Sequence, residues 1–266
     1  AERLGIALDS VTGTGRKGRI TLQDVEQAAR HRGLLTDAAD AAAVERVTLS
    51  GRQRTAARRL VQAKQEIPHF YLERTLDLQR LVDHRAERKA AGETATLNDY
   101  LVRACALALG HVPEVNAQLQ GEELWRFREA NIAVAMQLAD GLLTPVVKGA
   151  GQLSVGEIAA AVRGLQRAAT ENRLRAEDLQ GATFTISNLG MHGVDRFSAI
   201  INPPAVAILA VGRLASAVMP VDGEAAIRSV VQVTLSCDHR VVDGVLGARF
   251  LAALDDVVQA PEQLDP

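Results

Sequence analysis

The chain has 266 residues, of which 47% are hydrophobic, 3% aromatic and 23% charged. That composition excludes wholesale disorder, and no stretch approaches the ~18 apolar residues that a membrane span needs. Thirty basic side chains against 32 acidic ones leave a net charge of -2, which argues against nucleic acid or an anionic membrane surface as the main partner.

Residues 1–33 read as a self-contained mini-domain. Ile6 and Leu8 lead into a loop with Gly13, Gly15 and Gly18 and the cations Arg16, Lys17 and Arg19. Thr21 is a good N-cap, and Leu22, Val25, Ala28 and Ala29 recur at helical spacing to about Arg32. Residues 34–46 are rich in Ala and Asp without sustained periodicity and read as a linker. From residue 47 to the end, helical and strand patterns mix. A basic helix is predicted over 52–65, ended by Ile67-Pro68, and a strand over 69–76. Helices follow over 78–91 and from Thr96 to about Gly110. Strands are expected over 131–138 and 142–148 around an Asp140-Gly141 turn, and Ser154 with Glu157 forms a capping box that opens a helix to about Asn172. Apolar or β-branched runs at 183–187, 205–212 and 229–237 predict strands, and 244–258 a terminal helix. The fold class is therefore α/β, with a mixed domain large enough for a substantial core.

Two segments carry candidate chemistry. In Leu235-Ser236-Cys237-Asp238-His239-Arg240-Val241-Val242-Asp243-Gly244 an apolar strand ends in a cluster of Asp, His, Arg and Asp before a helix restarts. An imidazole held at a strand end can take and return a proton near neutrality. Spacing alone also allows a buried polar corner in which His239 bonds backbone and Asp243 caps the helix. In Thr183-Phe184-Thr185-Ile186-Ser187-Asn188-Leu189-Gly190 a strand ends in a polar, glycine-containing loop. A hydroxyl or amide there suits a developing oxyanion, and turn residues at a strand exit are the other reading. The chain lacks the Gly-x-Ser-x-Gly elbow of an α/β-hydrolase. Two cysteines, Cys105 and Cys237, give neither a disulfide framework nor, with scattered histidines, a recognisable metal ligand set, so no metal is expected and a reducing compartment is.

Together these segments resemble the dihydrolipoyl acyltransferase core components of 2-oxo acid dehydrogenase complexes. The region from Leu8 through Gly15, with Gly18-Arg19-Ile20-Thr21 and Asp24-Val25, resembles the family's peripheral-subunit-binding domain. Ile67-Pro68-His69-Phe70, Pro113-Glu114-Val115-Asn116, Gly141-Leu142-Leu143-Thr144-Pro145, Ser187-Asn188-Leu189-Gly190 and Asn202-Pro203-Pro204 match landmarks of its catalytic domain, and Asp238-His239-Arg240-Val241-Val242-Asp243-Gly244 its most specific motif. The motif is shared in part with chloramphenicol acetyltransferase. The resemblance implies a binding domain at 1–33, a linker at 34–46 and a chloramphenicol-acetyltransferase-like mixed-sheet catalytic domain at 47–266.

The resemblance further implies the roles of single residues. His239 is the base for the thiol of coenzyme A or dihydrolipoamide, Ser187 the donor to the tetrahedral oxyanion, and Asp243 an anchor that pairs with an arginine. Asn188, Arg52 and Arg54 are expected at coenzyme A; the family's arginine before the basic helix, the implied partner of Asp243, falls at Gln53 here, and Arg52 or Arg54 would substitute in that pair. Arg16, Lys17 and Arg19 would present a basic surface to lipoamide dehydrogenase or the decarboxylase component. A homotrimer with the site between subunits is implied; the ending Leu264-Asp265-Pro266 does not resemble the apolar tail of larger cores. No lysine sits in a lipoylation setting, so the lipoyl group is expected on a domain before Ala1, in a longer polypeptide of the cytoplasm or, in a eukaryote, the mitochondrial matrix. The stretch from Asn188 to Phe197 looks most like pyruvate-complex members, which makes acetyl transfer the expected reaction. An acetoin-type or other 2-oxo acid complex is the alternative, and a non-catalytic scaffold the alternative of a different class.

Overall fold

A computed structural model describes residues 1, 6–33, 44–138 and 141–265. The chain divides into two compact units, Ala1–Leu49 and Ser50–Pro266. Among the described residues no helix is long and apolar enough to cross a membrane.

The first unit is built around helix α1, Leu22–His31. Its core is small: Ile6, Val11, Val25 and Ala29. A buried carboxylate compensates for that. Asp24 accepts from the Thr14 amide at 3.0 Å, the Thr14 hydroxyl at 2.6 Å and the Thr21 amide at 2.8 Å, so it closes the capping box and ties the glycine loop to the helix. Gly13 is obligatory in that loop, because a Cβ there would meet the backbone of Gly18 and Arg19. Arg16 and Arg19 are exposed, as the basic-surface expectation requires, and the Arg19 carbonyl accepts from the Gly15 amide at 2.9 Å. The side chain of Lys17 and residues 34–43 of the expected linker lie outside the described part.

The second unit opens with α2, Gly51–Glu66, followed by strand β1, His69–Asp77. Helix α3 spans Gln79–Ala90 and α4 spans Leu97–His111. The strands Ala117–Gln120 (β2) and Glu123–Arg126 (β3) pair as a hairpin that the sequence reading omits. Then come β4 (Ile132–Val134), β5 (Met136–Leu138), β6 (Gly141–Leu143) and β7 (Val146–Val147). Helix α5 is Val155–Thr170, β8 Phe184–Asn188, β9 Ala207–Val221, β10 Glu224–Asp238 and α6 Gly244–Gln259.

Six strands form one sheet in the order β1-β10-β9-β8-β4-β7. The pairs β4–β8 and β8–β9 are parallel, and the outer pairs β9–β10, β10–β1 and β4–β7 antiparallel. Period-2 alternation sends Phe184 and Ile186, Leu209 and Val211, and Val233 and Leu235 into the main core, where they join Tyr100, Leu101, Ile158, Phe250 and Leu254 from the helices. Leu264 is buried in the same core, and Arg103 donates to its carbonyl at 3.4 Å. A smaller apolar cluster holds Ile208 against Ala63, Ile67 and Ile201.

The strands expected over 131–138 and 142–148 are each broken in two. The Ala135 amide makes the last bond to the sheet, to Ile186 O of β8 at 3.0 Å, and Pro145, which has no N–H of its own, offers its carbonyl to Val134 N at 2.9 Å. Among the described residues strands β5 and β6 pair only with each other, and Asp140 of the expected turn lies outside them. By contrast β9 and β10 run longer than the sequence pattern indicates. They form a ribbon whose turn places Asp222 and Gly223 at φ 52° and 86°, the left-handed pair that a tight hairpin demands.

Candidate active site

His239 stands on a corner fixed from three sides. Strand β10 ends at Asp238, which lies opposite His69 of β1. The Asp238 carboxylate is buried and receives the Arg240 amide at 3.1 Å and the Arg240 Nε and Nη2 at 2.9 and 2.6 Å. Its carbonyl accepts from Val241 N at 3.1 Å and Val242 N at 2.9 Å. The ion pair holds the Arg240 guanidinium above its ordinary pKa and turns the chain sharply, so that the residue between the two points outward.

The backbone N–H of His239 then donates to Pro68 O at 3.1 Å. Phe70 sets its ring edge-on to the imidazole, with centroids 4.9 Å apart at 65°. His69 staples the same segment: its Nε2 accepts from the Ile201 amide at 3.1 Å, which leaves the ring hydrogen on Nδ1 to donate to Ile67 O at 2.9 Å. Ile67-Pro68-His69-Phe70 is therefore the cradle of His239 and not only a landmark. The His239 side chain itself is exposed in the single chain.

Asp243 takes the cap role. Its Oδ1 accepts from the Leu246 amide at 2.8 Å at the start of α6. The ion pair at this corner is Asp238 with Arg240, beside Asp243 at the helix start. The signal for that was present in the sequence as an acidic and a basic residue two apart at a strand end.

Ser187 lies on β8, half-buried, on the opposite face of the strand from the core residues Phe184 and Ile186. Among the described residues no hydrogen bond engages its hydroxyl. The loop after it is held tightly. Asn188 Oδ1 accepts from Gly190 N at 2.8 Å, Asn188 Nδ2 donates to Asn98 Oδ1 at 3.1 Å, and Leu189 N donates to Val211 O at 3.1 Å. A Cβ on Gly190 would stand 2.5 Å from Gly212 O, so only glycine allows the loop to lie against β9. The Asn188 amide, expected at coenzyme A, is thus used to shape the loop.

Arg52 and Arg54 are exposed on the first turns of α2, as is Gln53 between them. Gln53 is committed to a capping box, accepting from Ser50 N at 2.8 Å. Both cysteines are buried; desolvation pushes each thiol up to about 12, with the Asp238 charge adding to it at Cys237. Among the described residues no group of three or more His, Cys, Asp or Glu side chains is placed to hold a metal.

The sheet register separates the two principal groups. Ser187 pairs with Ala210 on β9, and Ala210 with Thr234 on β10, five residues before His239. At about 3.3 Å per residue and about 4.8 Å per strand, Ser187 and His239 stand on the order of 19 Å apart within one chain. One protomer does not bring imidazole and hydroxyl together.

Residues 41–265 match the 2-oxoacid dehydrogenases acyltransferase (catalytic domain) family, and residues 1–26 match the e3 binding domain. The chain belongs to the 2-oxoacid dehydrogenase acyltransferase family. Among curated relatives, the dihydrolipoyllysine-residue acetyltransferase component of the pyruvate dehydrogenase complex of Rickettsia bellii is 35% identical over 96% of this chain and 63% of its own length. Component 2 of the mitochondrial Arabidopsis thaliana complex is 37% identical over 99% of this chain and 52% of its own length. The chain thus spans between half and two thirds of the length of these relatives. Among solved structures, a dihydrolipoamide acetyltransferase of Azotobacter vinelandii is similar with a TM-score of 0.78 and 34% identity, covering 83% of this chain and 93% of that one. That enzyme was studied for the roles of a serine, a histidine and an asparagine in its catalytic mechanism. A probable dihydrolipoamide acetyltransferase of Listeria monocytogenes is similar at 0.78 and 31%, covering 82% and 96%. Fold class and family agree with the reading of the sequence.

Proposed function

We propose that this chain transfers an acetyl group between dihydrolipoamide and coenzyme A, as the core acyltransferase of a pyruvate dehydrogenase-type complex. His239 accepts the proton of the attacking thiol. The thiolate adds to the thioester carbonyl, and the Ser187 hydroxyl donates to the oxygen that becomes negative. Collapse expels the other thiolate, which takes the proton back from His239. A thiol of pKa ~8.5 asks little of its base, so one imidazole is enough. The separation of Ser187 and His239 assigns them to one site only when two copies of the chain meet, His239 of one facing Ser187 of its neighbour, as in a homotrimer.

The observation that carries this reading is the spacing. Ser187 and His239 are 52 residues apart, as are the serine and histidine named for the Azotobacter enzyme, and Asp243 follows His239 by four, where that enzyme has its asparagine. The exposed imidazole on a braced corner and the unengaged hydroxyl support it further. The buried cysteines leave coenzyme A and dihydrolipoamide as the thiols that exchange the acyl group. The first unit would dock dihydrolipoamide dehydrogenase or the decarboxylase through Arg16, Lys17 and Arg19, and the lipoyl group would be carried on a further domain. Arg52 and Arg54 would approach coenzyme A.

The test is coenzyme A-dependent transfer from acetyl-, succinyl- and isobutyryl-dihydrolipoamide. Acetyl should be preferred, and His239→Ala should cost 10²–10⁴-fold in kcat, the usual worth of a positioned base. Unchanged transfer in that variant would remove His239 from the mechanism. Preference for a longer acyl group would refute the pyruvate assignment.

A further inference from the structure

The polar links behind Ser187 run in one forced direction. Gly190 N–H is a donor, so the Asn188 amide must present Oδ1 to it, at 2.8 Å. Asn188 Nδ2 therefore faces the other way, and what it meets at 3.1 Å must be an acceptor: Asn98 Oδ1. Asn98 comes from a segment 90 residues away in the chain. It sits in the first turn of α4, whose N-terminus is locked by the Thr96–Asp99 box, with both Thr96 N and Thr96 Oγ1 at 2.7 Å from Asp99 Oδ2. Ten residues of α4 are buried, so it is a rigid support. Opposite, Gly190 lies against Gly212 of β9. The segment from Ser187 to Gly190 is thus pinned between the backbone of β9 and one side-chain acceptor on α4.

We propose that Asn98 is a positioning residue for the acyl transfer, acting through Asn188 to hold the Ser187 hydroxyl where the oxyanion forms. The proposal rests on the function proposed for Ser187. Asn98 touches neither substrate nor reacting atoms in it; its contribution is one acceptor in a fixed place. An oxyanion donor displaced by a fraction of an ångström loses much of its worth, whereas ground-state binding of either substrate is little affected.

The experiment compares Asn98→Leu, which keeps the bulk and removes the acceptor, with Asn98→Asp, which keeps both and suits the positive end of a helix. Each is made in the full chain and in the Ser187→Ala background. Asn98→Leu should lower kcat about tenfold with KM for coenzyme A and dihydrolipoamide within about twofold, because a lost transition-state contact shows in kcat. Asn98→Asp should stay within about threefold of the parent, and neither change should matter once Ser187 is alanine. Amide exchange at Gly190 should quicken in the Leu variant alone, a readout that needs no activity. Equal losses in Leu and Asp, a full Leu effect in the Ser187→Ala background, or unchanged Gly190 exchange would each overturn the role of Asn98. Full activity of Ser187→Ala itself would overturn the assignment of Ser187, and with it this proposal; a depleted Ser187→Ala beside a fully active Asn98→Leu would remove Asn98 alone.

Discussion

Phe70 and His239 meet edge to face, their ring centroids 4.9 Å apart, although 169 positions separate them in the chain. The positive edge of one ring against the face of the other is worth about 0.5–1.5 kcal/mol beyond the area it buries. The pair also limits the swing of the imidazole, because His239 N is already tied to Pro68 O. Phe70→Leu keeps an apolar neighbour and removes the ring. It should lower kcat for acetyl transfer about three- to tenfold, the rate equivalent of that interaction. Steady-state kinetics with both substrates checks it, and unchanged kcat would mean that the ring does not hold the base.

The register separation of Ser187 and His239 makes a sharper demand. If each site takes one group from each of two chains, His239→Ala and Ser187→Ala protomers should rescue one another. Co-expressed in equal amounts and assembled at random, they should recover about a quarter of the parental activity per site, since about one interface in four pairs an intact imidazole with an intact hydroxyl. A mixture as inactive as the separate variants would place both groups in one chain and contradict the sheet register.

Asp24 makes the stability of the first unit depend on pH. Donation from the Thr14 hydroxyl, and then from the Thr21 and Thr14 amides, outweighs burial and holds its carboxyl well below the usual carboxylate range. A depressed folded-state pKa stabilises the unit above the unfolded value of ~3.9, and the contribution is lost as pH falls below it through the folded value. Protection of the Thr14 and Thr21 amides against exchange should be constant from neutrality to about pH 5 and decline in more acidic solution. Asp24→Asn should show weaker protection throughout and no such decline. Identical acid profiles for the two proteins would exclude the carboxylate as the cause.

Neither cysteine is available for acyl capture. Cys105 and Cys237 are buried with thiols pushed up to about 12, so the native protein should not react with a disulfide reagent at neutral pH. Both should react after denaturation. Rapid labelling of Cys237 in the folded chain would mean that the end of β10 opens, and the corner that carries His239 with it.

The local determinants of this fold were legible in the residues. Thr21, Thr96 and Ser154 start helices because a hydroxyl there satisfies an amide that no turn of the helix can reach, and apolar or β-branched runs identify β8 and the inner ends of β9 and β10. The Asp238-to-Gly244 motif and the Ser187-Asn188-Leu189-Gly190 loop were legible too, as the most polar endings of apolar strands. Less visible was how far strands run. The region 131–148 reads as two strands and forms four: Pro145 has no N–H to extend the β4–β7 ladder, and β5 pairs with β6 instead. The helix 51–66 reads as an ordinary basic helix, yet only Ala63 is buried.

What the residues determined alone is which groups exist and which local elements carry them, since caps, turns and alternation act over three or four positions. What only the tertiary structure decided is distance. Asp243 became a helix cap and Asp238 the partner of Arg240, Asn98 met Asn188, and the sheet register drew Ser187 and His239 apart within one chain. Those outcomes follow from pairings between segments remote in sequence, where the hydrogen-bond ladder of a whole sheet selects one register, and no local pattern of side chains encodes that choice.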